Sequence, residues 1–137
     1  MPGSNALEFS AVIAALQDRV PGLSAVYAFG SRVSGDAGPH SDLDIAVMAD
    51  GVLGTEALWE LSSRLAGIVD CPVDLLDLRA ASTVMQYRIV TTGQRLWARD
   101  GQAALYESFI LGRKTALDEA RAGLLEDIRK TGTVYGR

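Results

Sequence analysis

The segment Ala25-Val26-Tyr27-Ala28-Phe29-Gly30-Ser31-Arg32-Val33-Ser34-Gly35-Asp36-Ala37-Gly38-Pro39-His40-Ser41-Asp42-Leu43-Asp44-Ile45 is the most informative part of this chain. Ala25–Phe29 is a short apolar run that stops at Gly30, the pattern of a buried strand. Gly35, Gly38 and Pro39 make the stretch from Ser31 to Ser41 mostly loop, after about one helical turn. Strand character returns from Leu43 to Met48, with Asp42 and Asp44 where that strand begins. A glycine at a strand end lets backbone N–H groups approach a ligand closely. A helical turn starting at Ser31 would aim free N–H groups and a positive dipole end at a phosphate. The Ser31 hydroxyl adds a donor there, and Arg32 adds a charge-assisted one. Side chains two apart in a strand share a face, so Asp42 and Asp44 stand side by side. Two like charges that close call for a cation, and hard oxygen donors select Mg²⁺ or Mn²⁺ over zinc. A phosphate cradle beside an acidic metal pair implies nucleotide chemistry.

The flanking sequence supplies the rest of an α/β fold. Leu7, Val12, Ile13, Leu16 and Val20 recur at helical spacing over residues 5–20, and Pro21-Gly22 ends the pattern. Leu58, Leu61, Leu65 and Ile68 predict a helix over 55–69, with Thr55 as its N-cap. Val73–Asp77 reads as a third strand and residues 81–92 as a helix, followed by a short strand at 95–97. A long helix spans about 102–130, with Leu117, Ala120, Leu124 and Ile128 as the stripe expected to pack on the sheet and Gly112 as a point of kinking or breakage. The tail from Thr131 to Arg137 is expected to be loose. This order predicts a small mixed β-sheet flanked by helices in a single domain, residues 1–137, with a catalytic core of about 23–78 and a C-terminal helical region of about 101–130.

Asp74 is the candidate third carboxylate. Its neighbours Val73, Leu75 and Leu76 are apolar, and an unpaired aspartate among them would be costly. If its strand lies beside that of Asp42 and Asp44, the three acids meet on one face, where Asp74 can share a metal and take a proton from an attacking hydroxyl. Asp77 competes for this role, but in an ideal strand it points to the opposite face.

Composition narrows the alternatives. The chain has 137 residues, a formal net charge of −4, one Cys and one His. One Cys excludes an internal disulfide framework, and one His excludes paired-His zinc motifs. No apolar run is long enough to span a bilayer and no signal segment opens the chain, so the expected address is cytoplasmic, with no membrane partner. The acidic balance argues against direct nucleic-acid binding. Residues 1–80 carry 4 basic and 11 acidic side chains and residues 81–137 carry 9 and 6, so the back half is the surface expected to meet a protein partner.

Gly30-Ser31, ten intervening residues and Asp42-Leu43-Asp44 reproduce the GS-x10-DxD signature of the DNA polymerase β-like nucleotidyltransferase superfamily, which this chain resembles. With Val73-Asp74-Leu75 at the third-acid position it resembles the minimal nucleotidyltransferase (MNT) branch. The stretch from Ala120 through Asp127-Ile128-Arg129 to Gly132-Thr133-Val134-Tyr135-Gly136 is similar to the MntA-type antitoxins of HEPN/MNT toxin–antitoxin pairs. The resemblance implies a polymerase β-like nucleotidyltransferase fold and a Mg²⁺-dependent protein adenylyltransferase. Such a protein moves AMP from ATP to a tyrosine of a partner HEPN ribonuclease, which it silences. It further implies that Gly30, Ser31 and Arg32 hold the nucleotide, that Asp42, Asp44 and Asp74 bind metal, and that Asp74 is the general base. It is compatible with a homodimer inside a toxin–antitoxin complex. Two rivals stay open: a nucleotidyltransferase of the antibiotic-modifying type acting on a small molecule, for which the expected single domain offers little enclosure, and an antitoxin that works by binding alone. Of the other polar and aromatic residues, Ser41 is expected to satisfy loop backbone, His40 to be solvated, Cys71 to be a small apolar filler, and Trp59 and Trp97 to be core or interface anchors.

Overall fold

The computed structural model describes the backbone of residues 2–30 and 42–131, and the side chains of 9–30, 42–116 and 118–122. Along the chain come α1 (Pro2–Arg19), β1 (Leu23–Phe29), β2 (Leu43–Ala49), α2 (Thr55–Val69), β3 (Val73–Asp77), a 3₁₀ turn (Leu78–Ala80), α3 (Thr83–Thr92), β4 (Gln94–Ala98) and α4 (Gln102–Thr131). The four strands form one mixed sheet in the order β3-β2-β1-β4. β1 pairs antiparallel with both β2 and β4, while β2 and β3, joined through α2, run parallel. This is the mixed sheet that the order of elements predicted.

Helices cover both faces, which explains why all seven residues of β1 are buried and why its sequence is an apolar run rather than an alternation. On one face Val12 and Leu16 of α1 and Leu61, Leu65 and Val69 of α2 pack on Val26, Ala28, Ile45, Val47 and Leu75. On the other, Ile89 of α3 and Ala103 and Ile110 of α4 pack on Ala25, Tyr27, Phe29, Ala46 and Met48. Trp97 and Cys71 are half-buried against the first cluster. Trp59 is 75 % exposed on α2 and takes no part in either core.

Two local details differ from the sequence pattern. The N-cap of α2 is Gly54, and no side chain caps that end; Thr55 is the first helical residue. α4 runs unbroken through Gly112; among its described side chains Ala103 and Ile110 are fully buried, Tyr106 is half-buried and Arg113 Nη2 donates to Thr83 Oγ1 at 2.8 Å, whereas Ala120 is exposed. Leu117, Leu124 and Ile128 lie outside the described side chains. The start of α4 is fastened by a polar clamp. The Tyr27 hydroxyl donates to Glu107 Oε2 at 2.6 Å, and Arg95 Nη1 donates to the same oxygen at 3.0 Å. Burial, reinforced by the Glu107 carboxylate, pushes the Tyr27 phenol well above its ordinary range, so it stays a donor.

Candidate active site

Strand direction assembles the site. β2 and β3 are parallel, so they begin at the same edge of the sheet; β1 is antiparallel to β2, so it ends there. Asp44 is the second residue of β2 and Asp74 the second of β3, and the two are direct register partners. Register partners in adjacent strands share a face, so both carboxylates lie on the α3 side of the sheet. Asp42, the residue just before β2, is close enough for its charge to act on Asp44. The start of the parallel pair is fixed by the Leu43 N–H, which donates to Pro72 O at 2.9 Å. Across the other edge of β2, Asp44 pairs with Phe29, which brings Gly30 next to it.

Gly30 has φ +82°, a conformation that favours glycine. The Asp44 side chain also stands close over it. A Cβ built there would collide with Asp44 Oδ2 and sit 3.0 Å from Asp44 Cγ. The Asp44 carboxylate therefore lies directly over the Gly30 backbone, just past the end of β1 and immediately before Ser31 and Arg32 in sequence. Those two residues, with His40 and Ser41, lie outside the described residues, as does Tyr135.

The electrostatics are those of a site short of positive charge. Asp44 is half-buried, and burial, then Asp74, then Asp42 push its carboxyl above the ordinary range; Arg88 pulls the other way. Asp42 and Asp74 are exposed and free to turn. Among the described residues no three acidic, His or Cys side chains converge tightly enough to cage a metal unaided. Such an open arrangement suits Mg²⁺, which takes one or two carboxylates and completes its shell with phosphate oxygens and water. The donor set is all oxygen and fits such an ion.

Asp77 is excluded from this group. It is 3 % exposed and on the opposite face, where its carboxylate accepts from the Leu53 N–H at 2.9 Å and the Arg79 N–H at 3.0 Å. It joins the loop before α2 to the 3₁₀ turn and has no oxygen aimed at the other acids.

One residue near the acids escaped the sequence reading. Arg88 lies in α3, a helix started by the Ser82 hydroxyl, which accepts from the Met85 N–H at 3.2 Å. α3 ends at Gly93, where a Cβ would stand 2.8 Å from Ala28 O and 3.1 Å from Phe29 Cβ. The helix is thus pressed onto the last residues of β1, which brings Arg88 close enough for its charge to act on Asp44. Nothing in its local sequence marks it, because a single exposed Arg on a helix is ordinary.

Comparison with known proteins agrees with this geometry. Residues 11–102 match the model of the family described as Polymerase beta, Nucleotidyltransferase. The chain is 38 % identical over 117 residues to the protein adenylyltransferase MntA of Shewanella oneidensis, covering 85 % of this chain and 84 % of that one. It is similar to the crystal structure of a toxin–antitoxin with AMP-PNP, at a TM-score of 0.76 and 37 % identity over 86 % of this chain and 95 % of that one. It is similar also to the MNT antitoxin bound to tri-AMPylated HEPN toxin of Shewanella oneidensis, at a TM-score of 0.73 and 35 % identity, covering 90 % and 98 % of the two chains. With the motif, the strand register and these matches in agreement, the chain belongs to the polymerase β nucleotidyltransferase family.

Proposed function

We propose that this protein is a Mg²⁺-dependent protein adenylyltransferase that transfers AMP from ATP to a tyrosine of a HEPN-family toxin and so acts as its antitoxin, in the cytoplasm. The observation that carries the reading is the pairing of Asp44 with Asp74 beside Gly30, with Asp42 near enough to act on Asp44. The identity to an MntA protein over most of both chains supports AMP as the transferred group and a HEPN toxin as the acceptor. The family match and the two-faced core over nearly all described elements support treating residues 1–137 as one nucleotidyltransferase domain.

Each residue has a stated task. Gly30 and the following Ser31 and Arg32 hold the phosphates at the end of β1. Asp42, Asp44 and Asp74 would hold magnesium, which would supply positive charge to screen the phosphates. Asp74 accepts the proton of the tyrosine hydroxyl as its oxygen attacks the α-phosphorus. The new bond joins the phenolic oxygen to phosphorus, the bond to the β-phosphate oxygen breaks, and pyrophosphate leaves. The half-buried position of Asp44 gives its charge more effect than an exposed carboxylate would have.

The test is the intact mass of the HEPN partner after incubation with this protein, ATP and Mg²⁺, in parallel with an Asp42→Ala/Asp44→Ala variant. A gain of one or more AMP units with the native protein alone is expected. No gain, alongside a stable complex and a silenced toxin, would leave an antitoxin that works by binding. Transfer to a small alcohol in place of the protein would return the antibiotic-modifying type.

A further inference from the structure

Among the described residues, the largest apolar side chain left in water is Trp59, 75 % exposed near the start of α2. The helix beneath it is firmly set. Leu61 and Leu65 are buried in the core and Leu58 packs against it. On the approach to α2, the Leu53 N–H donates to the buried Asp77 carboxylate at 2.9 Å. The indole is therefore presented on a rigid support, which spares a partner the cost of ordering it.

Two features separate Trp59 from the other exposed apolar residues. Tyr106 and Phe109 on α4 stack on each other with ring centroids 5.8 Å apart, and each carries an arginine over its ring, Arg79 at 5.7 Å and Arg113 at 5.2 Å. Trp59 has neither a stacked ring nor a cation over it among the described residues. The second feature is charge. Glu56, Trp59 and Glu60 share one face of α2 and, with Thr55, line an open hollow of about 460 Å³. Glu56, in the first turn, also complements the positive end of the helix, but Glu60 lies beyond that turn. Ion pairs among the described residues use Asp18, Asp50, Asp100, Glu107 and Asp118, not Glu56 or Glu60. An open indole face flanked by two uncompensated carboxylates is the complement of a cationic side chain. The ring attracts a guanidinium or ammonium, and the carboxylates supply charge-assisted bonds to it.

We propose that this face of α2 is the docking surface for the HEPN toxin, which seats an arginine or lysine on Trp59 between Glu56 and Glu60. This rests on the reading of a HEPN toxin as the partner and adds the place where it is held. α2 packs on β3, the edge strand that carries Asp74, so a partner held there stands beside that strand.

The experiment measures binding of the HEPN partner by calorimetry, without nucleotide, to the native protein, Trp59→Ala, Trp59→Phe and Glu56→Lys/Glu60→Lys. Leu105→Ala, at a side chain 72 % exposed on α4, controls for general loss of apolar surface. Thermal melts confirm that the variants fold, as expected for exposed side chains. Trp59→Ala should weaken the complex about thirtyfold or more, and Trp59→Phe by less. The double lysine variant should bind weakly at low salt, with its gap from the native protein closing as salt rises. Leu105→Ala should bind as the native protein does. Native affinity in Trp59→Ala would overturn the inference, and so would a loss confined to Leu105→Ala. Self-association that Trp59→Ala abolishes, with toxin binding unchanged, would give the surface to a second copy of this chain instead. AMP transfer by the native protein, read in parallel by intact mass, shows that the adenylyltransferase reading stands when this one falls. A native protein that neither binds nor modifies the toxin would overturn both.

Discussion

Gly30→Ala separates a backbone requirement from a catalytic one. Two costs are visible. The first is φ +82°, which an alanine adopts at about 1–3 kcal/mol. The second is steric: the new methyl falls on Asp44 Oδ2, 3.0 Å from Cγ and 3.3 Å from Cβ. A shift of a few tenths of an ångström cannot clear that overlap. Asp44 is only half-buried, so its carboxylate can swing away, and the collision is relieved by misplacing the residue rather than by unfolding the sheet. The stability loss should therefore stay near the backbone figure. For a chain of this size that is a fall in Tm of about 3 to 12 °C. Activity should fall much further, because displacing by about 1 Å a carboxylate proposed to hold the metal costs on the order of 10²-fold. The assays are a circular-dichroism melt and the initial rate of AMP transfer to the HEPN partner. A variant within 1 °C of the native Tm, and transferring AMP within about twofold of the native rate, would refute the argument. Gly112→Ala is the matched control. It lies inside α4 with nothing within 4 Å of an added Cβ, so the same substitution should raise Tm by about 2–4 °C through helix propensity and leave transfer unchanged.

Two more substitutions test the electrostatics. Burial and the neighbouring Asp74 and Asp42 raise the Asp44 carboxyl in the folded state. Its contribution to stability is therefore complete only below the unfolded value of about 3.9 and is lost as pH rises through the folded value. Asp44→Asn carries no such charge, so in EDTA at pH 7 it should melt above the native protein, with the gap closing as pH falls below about 4. It should also abolish AMP transfer, and a Tm difference independent of pH would contradict the assignment. Tyr27→Phe removes the 2.6 Å donation to Glu107 while Arg95 remains on that carboxylate. We expect a loss of about 1–2 kcal/mol by denaturant titration, with AMP transfer unaltered.

Most of the framework could be read from local pattern, because it depends on local physics. An unbroken apolar run marks a strand covered on both faces, and β1 is one. The spacing of two between Asp42 and Asp44 is equally legible, and the structure has the charge of Asp42 acting on Asp44 from just outside β2. The same period separated Asp74 from Asp77, and the hydrogen bonds of Asp77 to Leu53 and Arg79 show what the buried acid does instead. Where reading failed, the missing quantity was reach. α4 has apolar residues along its whole length, so periodicity could not say that the sheet meets its turns around Ala103, Tyr106 and Ile110. Of the two places expected for Trp59, core or interface, its solvent-facing position removes only the core, and the rotation of α2 decides this.

What was set before folding is therefore the list of elements, the residues proposed to bind a nucleotide and a hard cation, and the facing of side chains within each strand, since these depend on side-chain chemistry and on a backbone period of two. What waited for the tertiary structure is which of them meet. The parallel pairing of β2 with β3 places Asp74 opposite Asp44, the antiparallel return of β1 sets Gly30 under that carboxylate, and the packing of α3 on β1 brings in Arg88. Those meetings join residues dozens of positions apart, and their relative placement is fixed by the burial of two helical layers on one sheet, a property of the whole core that no local stretch carries.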